Sequence, residues 1–259
     1  MGDGRDQHDE TSNATNKVAQ VTLAFWLMKI CATTVGETAG DLLSMTLGIG
    51  YAVSSGILIG FFLITLVAQL RSDRFHPFLY WAVILATSTA GTTISDYVDR
   101  TLGLGYATGA AILFSIVVAV LLVWRFTLGS IAVDHIRDPR VETFYWTAIL
   151  ASNTLGTALG DYLADSSGLG YGFSNLLIAG GIAIIGLAYF FTPVSRTTLF
   201  WAAFVLTRPF GATMGDLLTK APAAGGLGFG TMGSTFVLLS MLVVLITITM
   251  RRDRSRTTT

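Results

Sequence analysis

The stretch WLMKICATTVGETAGDLLSMTLGIGY, residues 26–51, decides the fold because its pattern occurs four times. A tryptophan is followed ten residues later by a glycine and fifteen residues later by an aspartate: Trp26/Gly36/Asp41, Trp81/Gly91/Asp96, Trp146/Gly156/Asp161 and Trp201/Gly211/Asp216. Each copy ends in a glycine-rich turn (Gly48 to Tyr51, Gly103 to Tyr106, Gly168 to Tyr171, Gly225 to Phe229), and a second apolar stretch follows. The copies recur at intervals of 55, 65 and 55 residues. The chain therefore reads as a fourfold tandem repeat of a helical hairpin, all copies entering in the same direction, with any pseudo-symmetry axis along the membrane normal.

Composition places this repeat in a membrane. Of 259 residues, 52% are apolar and 12% charged, with 28 glycines, so too little polar surface is available to cover one soluble core. A spanning helix needs roughly 20 mostly apolar residues, and eight segments supply them: 21–43, 51–70, 77–97, 106–124, 143–163, 171–191, 197–218 and 229–250. The expected fold is an all-α membrane protein of four parallel tandem helical hairpins, odd helices central and even helices peripheral. Residues 1–20 are expected to be a disordered tail, 21–126 a first half with repeats 1 and 2, 127–142 a linker loop, 143–250 a second half with repeats 3 and 4, and 251–259 a basic tail.

Flanking charge sets the expected orientation, since Lys and Arg in short loops resist translocation. Arg5, Lys17, Arg71, Arg74, Arg125, Arg137, Arg140, Arg196, Arg251, Arg252, Arg254 and Arg256 fall in the tails and between repeats, whereas only Arg100 and Lys220 fall in the turns inside them. Both termini are expected in the cytoplasm. The repeat tryptophans would then form an interfacial belt. Cys31 is single, so no disulfide framework or thiol metal site is available.

The odd helices carry most of the polarity. Lys29, Thr33, Glu37 and Asp41 are spaced four apart and share one helical face. The same stripe recurs as Ile84, Ser88, Thr92 and Asp96, then Ile149, Asn153, Thr157 and Asp161, then Phe204, Arg208, Ala212 and Asp216. Beside it run small residues at Gly36/Gly40, Gly91/Ser95, Gly156/Gly160 and Gly211/Gly215, the spacing that lets membrane helices approach closely. These contacts should hold the odd helices together and turn the stripes inward.

Lys29, Glu37 and Arg208 each cost at least about 2.5 to 3.5 kcal/mol in hydrocarbon unless they reach water or a partner. Lys29 and Glu37 lie roughly 12 Å apart along one helix, so Arg208 is the better partner for Glu37. Pro209, in the fourth copy alone, is expected to break or kink its helix. Five carboxylates stand against Lys29 and Arg208 in this count, which favours cations. Carboxylate, hydroxyl and amide oxygens suit hard ions such as manganese, magnesium or calcium. The histidines, His8, His76 and His135, fall outside the spans, which disfavours zinc or copper there.

The repeat with its tryptophan and G-x-x-x-[G/S]-D ending, from about Ala24 to Met250, resembles a bacterial family of integral membrane proteins whose repeated unit has no assigned function. The fourth copy departs by three additional residues around Pro222. The resemblance implies the architecture and a bacterial cytoplasmic membrane, and no activity.

The expectation is a non-enzymatic cation transporter or permease without a cofactor, with proton coupling open. Asp41, Asp96, Asp161 and Asp216 would form its outer entrance and metal contacts. Thr33, Ser88, Asn153, Thr92 and Thr157 would line the path, and Glu37 with Lys29 or Arg208 would gate or couple it. Its partners would be the lipid bilayer and a small cation or polar solute, with a homo-oligomer open and no nucleic acid. A non-transporting scaffold or sensor is the alternative. An intramembrane aspartyl protease ranks third, because the first glycine of its G-x-G-D motif is replaced by Thr38, Thr93, Ala158 and Thr213.

Overall fold

A computed structural model describes residues 17–133 and 136–257, with side chains as far as Arg252. Eight long helices and no strand occur among the described residues: α1 (Leu23–Asp41), α2 (Tyr51–Arg71), α3 (Pro77–Asp96), α4 (Tyr106–Leu128), α5 (Pro139–Asp161), α6 (Gly170–Phe191), α7 (Arg196–Thr219) and α8 (Thr231–Thr257). Local chemistry marks their starts. The Thr22 side chain accepts a hydrogen bond from Phe25 N and that of Asp138 one from Arg140 N, while Pro77 and Pro139 occupy first helical positions, where no N–H is missed.

Past the aspartate, the first three odd helices widen into π-helical turns at Leu42–Thr46, Tyr97–Thr101 and Tyr162–Ser166. In every repeat a pair of glycines with positive φ then reverses the chain: Gly48/Gly50, Gly103/Gly105, Gly168/Gly170 and Gly228/Gly230. The fourth pair corrects the expected register. Its turn is Gly228–Gly230, not Gly225–Phe229, so Thr231 occupies the position of Tyr51, Tyr106 and Tyr171, and the insertion is five residues long instead of three. A short 3-10 turn at Pro222–Ala224 absorbs it. Pro209, expected to break or kink its helix, does not interrupt α7.

The odd helices α1, α3, α5 and α7 form a closed ring, each touching the next and α7 returning to α1. Each even helix packs mainly on the odd helix of the following repeat: α2 on α3, α4 on α5, α6 on α7 and α8 on α1. The two helices of one repeat are joined by a turn but scarcely touch, so no repeat buries its own apolar face. The even helices carry the outward apolar surface, for example Ile64, Phe114, Leu176 and Val237. Among the described residues, five helices are long and apolar enough to cross a membrane, namely Tyr51–Arg71, Pro77–Thr101, Tyr106–Leu128, Gly170–Phe191 and Thr231–Arg252.

The tryptophans depart from the belt expectation. Trp81, Trp146 and Trp201 are buried and Trp26 is half-buried. The aromatic residue before each tryptophan meets the tryptophan of a neighbouring repeat: Phe25–Trp81 at 5.7 Å, Tyr80–Trp146 at 5.5 Å, Tyr145–Trp201 at 6.3 Å and Phe200–Trp26 at 5.8 Å between centroids. A continuous aromatic layer thus closes the ring at the end that carries the termini. The reason is steric and electronic: tilted and edge-on packing among buried aromatic rings offsets a single ring's preference for the interface.

Of the expected tail 1–20, residues 1–16 lie outside the described residues, but Lys17 and Val18 are buried. Lys17 Nζ pairs with Glu142 Oε2 at 2.6 Å and donates to Leu70 O, and Gln69 Nε2 donates to Lys17 O and Glu142 Oε1. A buried carboxylate at the start of α5 therefore draws this end of the tail inward. The expected linker 127–142 is likewise shared between the end of α4, a short connection and the first turn of α5.

Candidate functional site

Small residues set the spacing of the central ring. A Cβ on Gly36 would overlap the Ser88 side chain, one on Gly156 the stem of Arg208, and one on Gly211 the Thr33 side chain; on Gly91 it would lie 3.0 Å from the Asn153 backbone. Each repeat's glycine therefore receives the second stripe residue of the next repeat, around the full circle. One turn further, Gly40 receives Thr92, Gly160 receives Ala212 and Gly215 receives Glu37. Ser95, the non-glycine member of the set, donates instead to Asp99 Oδ2 at 3.2 Å.

Four polar levels follow along the axis from the aromatic layer to the turns. At the first, Lys29 is fully buried; its Nζ donates to Asn153 Oδ1 at 3.1 Å and lies 4.0 Å above the Phe204 ring. At the second, Asn153 Nδ2 donates to Thr87 Oγ1 and Thr33 Oγ1 donates to Thr207 O, whereas Ser88 Oγ is buried without a partner. These residues lie between helices as much as on the axis, because the glycine notches hold them there.

The Arg208 guanidinium reaches the third level. Its NH2 contacts Glu37 Oε2 at 2.9 Å, Thr92 Oγ1 at 2.6 Å and Thr157 Oγ1 at 2.6 Å, joining all four repeats at one nitrogen. Arg208 is 0% exposed and Glu37 3%, so this ion pair is shielded from water.

At the fourth level the four aspartates converge, all buried, and two cations from the adjoining turns hold them in pairs. Lys220 Nζ lies 2.8 Å from Asp41 Oδ2 and 3.1 Å from Asp216 Oδ1. Arg100 lies 2.8 Å from Asp96 Oδ1 and 3.5 Å from Asp161 Oδ2. Burial alone would draw the Lys220 ammonium down, but Asp216 and Asp41 outweigh it and hold its pKa above the ordinary lysine range. Both cations are partly exposed, so the column meets solvent at the turn end and is sealed by aromatics at the other.

Arg100 and Lys220, which by sequence fall in the turns and outside the count of interior charges, belong to the interior. With them included, four cations stand against the five carboxylates, a balance much closer to neutral than five against two. The signal was present, since each lies four residues after the aspartate of its own repeat and so on the same helical face. The expected metal set also changes. Oxygens of Glu37, Asp41 and Asp216 lie within 4.8 Å of one another, while Asp96 and Asp161 form a separate pair on Arg100.

A closed ring of repeated helices, apolar outside and ionisable inside, defines an integral membrane repeat protein. A family model described as a Repeat of Unknown Function (DUF347) matches residues 24–75, 79–129, 144–195 and 199–255, and the chain belongs to that family. No curated protein and no solved structure matches the chain.

Proposed function

We propose that this protein is a permease for a small hard cation, a divalent such as manganese, magnesium or calcium being favoured, in a bacterial cytoplasmic membrane with both termini in the cytoplasm. The observation that supports this reading is the position of Lys220 Nζ, a tethered cation held by Asp41 and Asp216 beside Glu37. A divalent ion entering from the turn end would take the ammonium's place among three carboxylates, a donor set suited to hard cations. Because Lys220 stays protonated, displacement and not deprotonation would vacate the position. Passage further inward requires Glu37 to exchange Arg208 for the ion or for a proton, which is the proposed coupling step. The chemistry is transfer without bond breaking, so the reading is non-enzymatic.

The test is uptake by the full chain in liposomes, with manganese, magnesium, calcium and potassium in turn. Wild type should take up at least one divalent ion, Asp41→Asn and Asp216→Asn at least about tenfold more slowly, each losing one hard ligand. Absence of uptake for every ion would reject the proposal. A scaffold is the second reading, favoured by the glycine notches and ion pairs that already close the centre. Cysteines at Thr33, Ser88 and Asn153 separate the two, since a water-soluble thiol reagent labels them in a permease and not in a dry scaffold.

A further inference from the structure

Where α4 packs on α5, the outer surface between the two helices is hollowed. A groove of about 550 Å³ runs there, walled by Ala119, Val123 and Thr127 of α4 and by Thr143, Phe144 and Thr147 of α5. Ala119 and the threonines are too short to fill the space, and Phe144, stacked on the buried Trp124 with ring centroids 6.2 Å apart, gives it a fixed side. The hydroxyls add little polarity, because Thr143 Oγ1 donates to Pro139 O and Thr147 Oγ1 to Thr143 O, each within its own helix. Arg140 is the one charged residue on the wall, on the first turn of α5 at the end that carries the termini. It is exposed, and among the described residues no carboxylate lies within ion-pair distance of its guanidinium. The nearest acid along the chain, Asp138, is turned to the helix start, where its Oδ1 accepts from Arg140 N.

Length and charge together select the occupant. From Ala119 to Leu128 the groove follows α4 for about 14 Å, at about 1.5 Å per residue. That is roughly half of the 30 Å or so of hydrocarbon in a bilayer, the depth of one leaflet. An acyl chain lying along the groove starts at the level of Arg140 and ends near the bilayer centre, and a guanidinium offers the paired donors that a phosphate accepts. We infer that the α4–α5 groove binds one anionic phospholipid, an acyl chain lying between the helices and the phosphate resting on Arg140. A zwitterionic lipid carries its own cation beside the phosphate and gains less from the arginine. In the orientation proposed above, the groove opens to the cytoplasmic leaflet, where anionic lipid is concentrated. The bound lipid braces the junction of the second and third repeats, and the site stands whether or not the protein moves cations.

Native mass spectrometry of the delipidated full chain in detergent tests this, with phosphatidylglycerol and phosphatidylcholine of identical acyl chains added in turn. Wild type should retain one phosphatidylglycerol per chain and bind it about tenfold more tightly than phosphatidylcholine, as one charge-assisted contact would give. Arg140→Gln should remove that preference, whereas Arg196→Gln, at the same end of the molecule but turned onto Tyr189, should keep it. Ala119→Trp fills the groove, leaves Arg140 in place and should weaken both lipids. Glycerol phosphate, which has the charge without the chains, should not compete. Equal affinity of wild type for the two lipids, a measurement that needs no variant to fold, would overturn the inference. So would an unchanged preference in Arg140→Gln, unchanged binding in Ala119→Trp, or competition by glycerol phosphate. Liposome uptake failing while this lipid binds would remove the cation permease and leave the lipid site in place.

Discussion

At the residue scale, Arg208 contributes most to the uniqueness of the centre, since a single nitrogen joins Glu37, Thr92 and Thr157 from the other three repeats. Removing one partner of a buried pair leaves the other charged in a medium that cannot solvate it. Arg208→Leu should therefore destabilise by about 3 to 5 kcal/mol, and Glu37→Gln in the same background should recover part of that loss. Chemical or thermal unfolding of the two single variants and the double variant measures the coupling; simple additivity would mean that the pair is not a unit. The copies differ at this level in a complementary way: the third stripe position is the glutamate and the two threonines that meet Arg208, and an alanine in the repeat that supplies the arginine itself. Asp41, Asp96, Asp161 and Asp216 were legible as a convergent set because they recur in register. Their partners Arg100 and Lys220 are less legible, because a basic residue in a short turn equally serves to set topology and only the fold shows it bending back onto the aspartates.

At the element scale, helicity and the inward face of α1, α3, α5 and α7 were readable from the stripe and the glycine pairs. The partner of each even helix was not, because periodicity reports which side of a helix is buried and not what covers it. The same limit applied to Trp81, Trp146 and Trp201, whose rings sit inside the layer that Phe25, Tyr80 and Tyr145 complete. In the fourth turn the sequence offered several glycines, and only the backbone distinguishes Gly228 and Gly230, with φ of 73° and 74°, as the pair that matches the other repeats. The docking of α8 on α1 is open to direct measurement. Thr235 Oγ1 and Thr38 Oγ1 lie 2.9 Å apart, close enough for paired cysteines to meet disulfide geometry. In a Cys31→Ser background, Thr38→Cys with Thr235→Cys should cross-link on mild oxidation and shift the mobility of the unreduced chain on a gel. Failure to cross-link would argue that the last helix lies elsewhere.

At the scale of the whole molecule, the circle has no privileged seam. Contacts between the second and third repeats, across the linker, are of the same kind as those by which α7 and α8 return to α1, and the glycine notches repeat at each junction. Stability is thus spread over four similar junctions, as in repeat proteins where neighbours supply most of the buried surface, except that here the ends meet. Covalent continuity between the halves should matter little once both are in the membrane, whereas each half alone exposes two unpaired junctions with buried charges on them: Arg208 without Glu37 on one side, and Glu142 without Lys17 on the other. A chain cut between residues 133 and 136, with the halves co-expressed and a tag on the first, should therefore be recovered as a stoichiometric complex after detergent extraction. Each half expressed alone should be degraded or aggregate. The cut must spare the connection on both sides, because Ile131 O accepts from Trp201 Nε1 and Ile136 O from Lys17 N, so the linker itself bridges the halves. Stable, monodisperse recovery of either half by itself would mean that two repeats form a self-sufficient unit, and the closed circle would then be a consequence of linkage instead of the source of stability.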